Sequence, residues 1–257
     1  MKMLSGGSKG SAPIAPKDVP LCGSRLLTAL PLEERARIAR HLVRRDLRRT
    51  EVLFEPGDDI EKTYFPCRGT MGSLVVILSD GREVEAATIG HEGAIGGIVS
   101  AGHKPAYTRA VVQIGGPALA IETARLEEVK AASPPVRELF SRYADALLAQ
   151  IMQSVACNAL HSVEARCSRW LLSTQDRIVS SGPIPLTQEA LAEMIGVQRT
   201  TVTVVMNALE ARGLIRHSRG RVEILDRAGI QKIACECYNS VEDHFARVLP
   251  AAVLEPN

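Results

Sequence analysis

The texture of this chain turns from β-rich to helical near residue 123, and that change limits the folds open to it. Before it, short β-rich runs alternate with glycine turns. Glu51–Phe54 precedes Pro56-Gly57-Asp58, Thr63–Phe65 precedes Arg68-Gly69, and Ser73–Leu78 precedes Ser79-Asp80-Gly81. Arg82–Ile89 is followed by Gly90 and Gly93, Arg109–Ile114 by Gly115-Gly116, and Pro117–Ile121 closes the series. Short strands at this spacing form a barrel or a double-sheet roll, and Asp80-Gly81 between two of them is a hairpin signal. From Thr123 the pattern is helical, punctuated at Pro134-Pro135 and at Ser181-Gly182-Pro183. Strands segregated from helices specify an α+β architecture, and 257 residues suffice for about two domains with cores of their own.

Composition narrows the function classes. Lys+Arg number 31 against 29 Asp+Glu, so any nucleic-acid-binding patch must be local. No run approaches the ~18 apolar residues of a membrane span, and the Gly/Ser/Lys/Pro-rich residues 1–23 read as a disordered tail with no secretory leader, so a cytoplasmic protein is expected. Residues 24–45 read as helical, broken by Pro31. The basic run Arg44-Arg45-Asp46-Leu47-Arg48-Arg49 reads as solvated or salt-bridged surface. Cys22, Cys67, Cys157, Cys167, Cys235 and Cys237 show neither CxxC spacing nor a Cys/His cluster, so no metal site and no disulfide framework are expected, and the thiols are taken as reduced. On one continuous helix Cys235 and Cys237 would point apart, and the histidines, among them His91, His103 and His161, are dispersed. No paired acids or nucleophile–base motif points to an enzyme.

The stretch from Val136 to about His161 contains no Gly or Pro. Val136, Leu139, Phe140, Tyr143, Leu147, Gln150, Ile151 and Ser154 recur on it at spacings of three and four. Such a stripe either packs on the roll of its own chain or faces a partner helix. The partner-facing reading makes residues 135–162 a dimerisation helix with Leu139, Tyr143, Leu147 and Ile151 at the interface. A second helix, Val163 to about Val179, carries Cys167, Trp170, Leu171 and Ile178. One further helix, Ala228 to Val248, is expected in the extension 228–257.

Residues 187–212 read TQEALAEMIGVQRTTVTVVMNALEAR. Thr187 caps a short helix with an apolar face of Leu191, Met194 and Ile195. Gly196 permits a sharp left-handed turn, and Val197 plugs it. The next helix has an i, i+3, i+4, i+7 stripe of Val202, Val205, Met206 and Leu209. Its other side presents Arg199, Thr200, Thr203, Val204 and Asn207. This is a helix-turn-helix, whose second helix enters the major groove. Two short β segments around Arg219-Gly220 then form a wing. From Arg199 to Arg221 there are five arginines and one acid, Glu210, which supplies the local basic patch. Residues 163–227 are thus a winged DNA-binding domain, and residues 24–134 a separate roll, which the resemblance below makes a sensor.

The order of these features resembles the bacterial superfamily of the cyclic-AMP receptor protein and the fumarate–nitrate reduction regulator, Crp/Fnr. The resemblance covers about residues 24–230. It rests on Phe54-Glu55-Pro56-Gly57, Tyr64-Phe65, the segment Ile89-Gly90-His91-Glu92-Gly93-Ala94-Ile95-Gly96, the long helix, and Thr187 to Arg212 with its wing. It implies a cyclic-nucleotide-binding-type β-roll, a homodimer, a palindromic double-stranded DNA operator, a small-molecule or redox effector, and RNA polymerase as a partner of an activator. At the interface it implies Thr187, Gln188, Arg199, Thr200, Thr201, Thr203, Asn207 and Arg219, with Arg199 on a base and Thr201 on phosphate. Thr200 replaces an acid and Val204 replaces a second base-reading Arg. In the effector pocket it implies Glu92, Gly93, Gly96, Gly97, Thr108 and Arg109. Gly96-Gly97 lacks the ribose-binding acid, and Thr108-Arg109 reverses the phosphate-binding pair, with Lys104 or Arg109 left to supply charge. Cyclic AMP is therefore not the expected effector, and no cofactor is identified. A sensor or adaptor module that does not bind DNA is the alternative.

Overall fold

Two short helices, α1 (Arg25–Thr28) and α2 (Leu32–Ala39), lead into a roll of two antiparallel sheets in a computed structural model that describes residues 21–98, 105–178 and 182–250. The strands are β1 (Val43–Leu47), β2 (Val52–Phe54), β3 (Lys62–Pro66), β4 (Met71–Ile77), β5 (Glu83–Ile89), β6 (Arg109–Ile114) and β7 (Gly116–Glu122). One sheet has the order β1-β7-β3 and the other β2-β6-β4-β5. Asp80-Gly81 closes the β4–β5 hairpin with Gly81 at φ +81°, as its turn chemistry predicts.

The helical reading of 24–45 fails at its end, where β1 begins. Its residues Arg44, Arg45 and Asp46 are exposed on an edge strand, and only Leu47 is buried. Charged side chains suit an exposed edge because they oppose pairing with another chain. The tail reading of 1–23 fails at residues 21–23, where Leu21 is buried in the core and Cys22 is bonded to Cys67. That disulfide corrects the expectation of reduced thiols. The two Cα atoms lie 5.1 Å apart across 45 residues of sequence, a proximity the spacing alone does not reveal. Residues 1–20 and Lys104 lie outside the described residues.

After α3 (Thr123–Ala132) comes α4 (Pro134–Leu160), about 40 Å long at 1.5 Å per residue. The Ser133 hydroxyl accepts the Val136 N–H at 3.3 Å, and proline occupies the first helical turn where no N–H is needed. Val136, Leu139, Phe140, Tyr143, Ala146 and Leu147 are all buried within the chain. The Tyr143 hydroxyl donates to the Ala94 carbonyl at 3.1 Å. The stripe read from sequence is thus the face that α4 turns to its own roll.

The chain breaks at His161 and continues as α5 (Val163–Ile178). A buried polar seam joins α5 to the roll. Arg177 Nε donates to Glu92 Oε1 at 2.8 Å, and the Gly90 N–H donates to the same oxygen at 3.1 Å. His91 Nδ1 bonds the Arg177 carbonyl at 2.9 Å, Gln150 Nε2 donates to the Thr88 carbonyl at 3.0 Å, and Trp170 Nε1 donates to Glu85 Oε1 at 3.2 Å. Burial opposes ionisation of Glu92, but Arg177, His91 and backbone N–H donors together hold its carboxyl below the usual range.

A buried ion pair broken on one side leaves an uncompensated charge, worth ~3–5 kcal/mol. Glu92→Gln and Arg177→Met should each lower the unfolding free energy by about that amount, and the double variant should lose clearly less than the sum. Denaturant unfolding measures all three; strict additivity would show that the pair is not coupled. Because the folded carboxyl titrates below its unfolded value of ~4.3, the contribution is complete above that pH. It is lost as acidification passes through the folded value. The Glu92→Gln protein should lack that part of the acid slope.

Candidate nucleic-acid interface

Helices α6 (Gln188–Ile195) and α7 (Arg199–Ala211) form the expected pair. The Thr187 hydroxyl accepts the Ala190 N–H at 3.1 Å, so its first role is to cap α6. Gly196 ends that helix at φ +65°, ψ +45°, a left-handed conformation that glycine adopts without cost. Leu191, Ala192, Met194 and Ile195 are buried with Val202, Met206 and Leu209, and Val197 and Val205 pack partly buried against them. Burial of that stripe fixes the rotation of α7. Arg199, Thr200, Thr201, Val204 and Asn207 are left exposed on the opposite side.

Thr203 is half-buried, and its hydroxyl is 2.7 Å from Gln188 Oε1 and 3.0 Å from the Arg199 carbonyl. Thr203 and Gln188 thus tie the two helices together at the base of the interface. The wing is a hairpin of β8 (Ile215–Ser218) and β9 (Arg221–Ile224) with Ser218 opposite Arg221, which leaves Arg219-Gly220 as its tip. Gly220 takes φ +72° there.

A groove of about 580 Å³ runs between the start of α7 and the wing, lined among others by Thr187, Gln188, Glu189, Arg199, Arg219 and Arg221. The five arginines are not equivalent. Arg212 pairs with Glu164 at 2.9 Å and Arg216 with Glu223 at 3.2 Å. Arg199 makes a longer, exposed contact to Glu189 at 3.6 Å, which is worth little in water. Arg219 and Arg221 are exposed, and neither forms a salt bridge within the described residues. The groove therefore carries one weakly paired cation at the helix start and two at the wing that form no salt bridge among the described residues.

Residues 165–233 match the family of Crp-like helix-turn-helix domains. FixK2 from Bradyrhizobium japonicum superposes with a TM-score of 0.66 at 15% identity, over 76% of this chain and 98% of that one. A transcriptional regulator of the CRP family from Thermus thermophilus, TTHB099, gives 0.62 at 20% identity over 74% and 96%. The c-di-GMP responsive global regulator CLP of Xanthomonas campestris gives 0.61 at 18% identity over 76% and 99%. The chain thus carries a Crp-like helix-turn-helix domain and shares the fold of these three regulators. No curated protein sequence matches it, and no helix among the described residues is long and apolar enough to cross a membrane.

Within this fold, the residues expected to line an effector pocket that have described contacts are engaged with other partners. Glu92 is committed to Arg177 in the buried seam. A Cβ on Gly93 would lie 2.8 Å from the Tyr143 ring, and one on Gly97 would lie 2.9 Å from the Phe140 ring, so both glycines permit close packing of α4. Gly96, at φ +84°, sits against the Lys62 carbonyl and Ile60. Arg109 lies on the other sheet, beside the half-buried Thr108, clamped at 2.8 Å by Glu55 and 2.5 Å by Glu83.

Two groupings escaped the sequence reading. Leu148, Met152 and Val155 of α4 are 56%, 64% and 67% exposed and form a second apolar face, whereas Leu139, Tyr143 and Leu147 are buried and Ile151 half-buried on the first. Leu139, Tyr143 and Leu147, expected at the dimer interface, are thus core residues, because the chain's own roll occupies that face, and Ile151 packs half-buried against the same roll. The 148, 152, 155 spacing was readable, but the larger side chains of the first stripe masked it. The second grouping is Cys157, His161, Cys235 and Cys237, which converge although they are far apart in sequence. The continuous helix expected over 228–248 is broken into α8 (Arg227–Ile233) and α9 (Cys237–Val248), and the break turns Cys235 and Cys237 toward one another.

The clamp on Arg109 makes a prediction. An entering phosphate would have to displace two carboxylates, and no acid stands at Gly97 to take ribose hydroxyls. Calorimetry with cyclic AMP should show no saturable micromolar heat. Saturable binding that also raised DNA affinity would show that the pocket re-forms around the ligand.

Proposed function

We propose that this chain is a homodimeric, sequence-specific regulator of transcription that works in the cytoplasm on a palindromic double-stranded DNA operator. The observation that carries this reading is the groove between α7 and the wing, where a fixed helix start and two unpaired wing arginines face the same space. Arg199 opens α7, and a guanidinium there suits guanine O6/N7. Arg219 and Arg221 supply phosphate contacts, which give affinity and register. Thr200, Thr201, Val204 and Asn207 share the exposed face of α7, and Val204 is placed for a thymine methyl. The exposed arginines of the groove support a binding protein and not an enzyme. Its effector is a small molecule yet to be identified, and RNA polymerase is a partner if the protein activates.

The dimer rests on the second face of α4. Leu148, Met152, Val155 and Ala159 follow a 4-3-4 spacing, all four exposed, as in a two-stranded coiled coil. A two-fold protein then matches a two-fold operator.

A shift assay on promoter fragments from the protein's own locus, followed by selection of the bound sequence, tests the DNA-binding reading. Arg199→Ala should cost ~1–3 kcal/mol per half-site on the selected operator and relax preference at one base pair. Arg219→Ala should weaken cognate and random DNA alike and reduce the salt slope by about one ion per site. Equal losses on both DNAs for Arg199→Ala would mean that Arg199 does not read a base.

The double variant Leu148→Glu/Val155→Glu should sediment as a folded monomer, since both positions are exposed in one chain. A dimer that survives these changes would place the seam elsewhere.

A further inference from the structure

Cys157 and His161 lie at the C-terminal end of α4, four residues apart and therefore on one face. Cys235 follows the end of α8, where Ala234 is extended at φ −57°, ψ 144°, and Cys237 opens α9. Cys157 Sγ is 3.5 Å from Cys235 Sγ, and Cys237 Sγ is 3.5 Å from His161 Nδ1. All four donor atoms lie within 4.8 Å of one another. A tetrahedral ion with bonds of ~2.3 Å to sulfur and ~2.0 Å to nitrogen holds neighbouring donors about 3.5–3.8 Å apart. The two 3.5 Å spacings match those of one ion, and a spread of no more than 4.8 Å brings the other donors within reach of it. A polynuclear iron–sulfur cluster, whose thiolates ligate different metal atoms, needs a wider cage.

The surroundings complete the site. The other nitrogen of His161, Nε2, lies 3.2 Å from Glu236 Oε1. A carboxylate behind a ligating imidazole fixes the tautomer in which Nδ1 is the free donor. Gln153 Nε2 donates to Cys237 Sγ at 2.9 Å. The three thiols are buried. Buried thiols alone pack as small apolar groups, but that role gives no reason for an imidazole nitrogen to point into them. Three thiolates and a divalent ion carry one net negative charge, and Arg166 and Arg169 stand close enough to offset it.

We propose that Cys157, His161, Cys235 and Cys237 bind one zinc ion. Four protein ligands leave no open position, which makes the site structural and not catalytic. The ion would fasten the α8–α9 extension to the end of α4, at the hinge where His161 and Ser162 lead into the DNA-binding domain. The angle between α4 and α5 would then depend on metal occupancy.

The test uses the untagged full-length protein, purified without chelators. Elemental analysis should find one zinc per chain. Cobalt exchange should give the thiolate-to-metal charge-transfer band and the intense visible absorption of a tetrahedral ion. Cys157→Ser and Cys237→Ser should lose the metal and the band, whereas Cys167→Ser, at a buried thiol outside the cluster, should keep both. Glu236→Gln should weaken zinc binding by about 10-fold, the low end of such effects because Glu236 is largely exposed. If the serine variants fail to fold, a mercurial titration of the wild-type protein decides, since it should release one zinc per chain to a chelating dye as the thiols react. A metal-free protein that takes up neither zinc nor cobalt would overturn the proposal. So would zinc retained in a folded Cys157→Ser protein, or iron with acid-labile sulfide in place of zinc. None of these measurements needs DNA, so their outcome is separate from that of the regulatory reading.

Discussion

The Glu92–Arg177 pair is the contact on which the arrangement of the two domains depends. Glu92 sits in the glycine-rich turn after β5, and Arg177 stands one residue from the end of α5. A carboxylate and a guanidinium so deeply buried are tolerated because each compensates the other's charge. Gly90 N–H, the Gln150 side chain and the Ser173 carbonyl take up further valences, the last at 3.2 Å, while Glu92 Oε2 has no hydrogen-bond partner among the described residues and faces His91 Nδ1 at 3.9 Å. Gly90 has no side chain for the same reason, since a Cβ there would lie 2.8 Å from both Arg177 Cβ and Glu92 Oε2. The glycine pattern that reads as a ligand loop in sequence thus makes room for an interdomain ion pair.

Helix α4 shows how one element serves two ends. Its inner face is part of the roll's core, with Phe140 edge-on to Phe65 at 6.3 Å between centroids and Tyr143 hydrogen-bonded to the turn at Ala94. Its outer face is apolar only in the second half, from Leu148 onward, because Ser141, Arg142 and Asp145 occupy the corresponding positions earlier. A partner helix would therefore meet α4 near the hinge and not along its whole length. Contact there would sit beside the helix-turn-helix domain.

Local chemistry explains which features were legible in the sequence. The helix-turn-helix was readable because each device is local: the Thr187 cap, the Gly196 turn, the Val202–Leu209 stripe and the wing-tip glycine all act within a few residues. The strands were readable from glycine spacing, except β1, whose charged edge has no alternation to betray it. The faces of α4 were not separable, because periodicity reports that a face is apolar and not what covers it. The Cys22–Cys67 bond and the Cys/His cluster depend on pairs 45 and 78 residues apart. Only the fold places such residues together. The helix break at Ala234 carries no Gly or Pro, so the convergence of Cys235 and Cys237 had no local marker.

A signal in the roll has a short physical route to the DNA-binding groove. Met71 and Val75 of β4 and Ile114 of β6 belong to the same buried cluster as Trp170, Leu171, Leu191, Ile195 and Val202. Three buried residues of the roll thus sit in the core of the helix-turn-helix, while the rest of the roll keeps buried clusters of its own. Val84 of β5 stands 3.2 Å from where a Cβ on Gly196 would lie, which puts the sharp turn of the helix pair directly on the sheet. Glu85, one residue on, accepts from Trp170 of α5 and from Ser73 of β4. Close-packed interiors do not deform continuously; they shift between discrete arrangements. A change in the β4–β5 hairpin would therefore reach α6 and α7 as a step, through Val84, Glu85 and Trp170. Arg109, held by Glu83 at the start of the same strand, ties the outer sheet edge into that route. The hairpin is the roll's packed link to the helix-turn-helix.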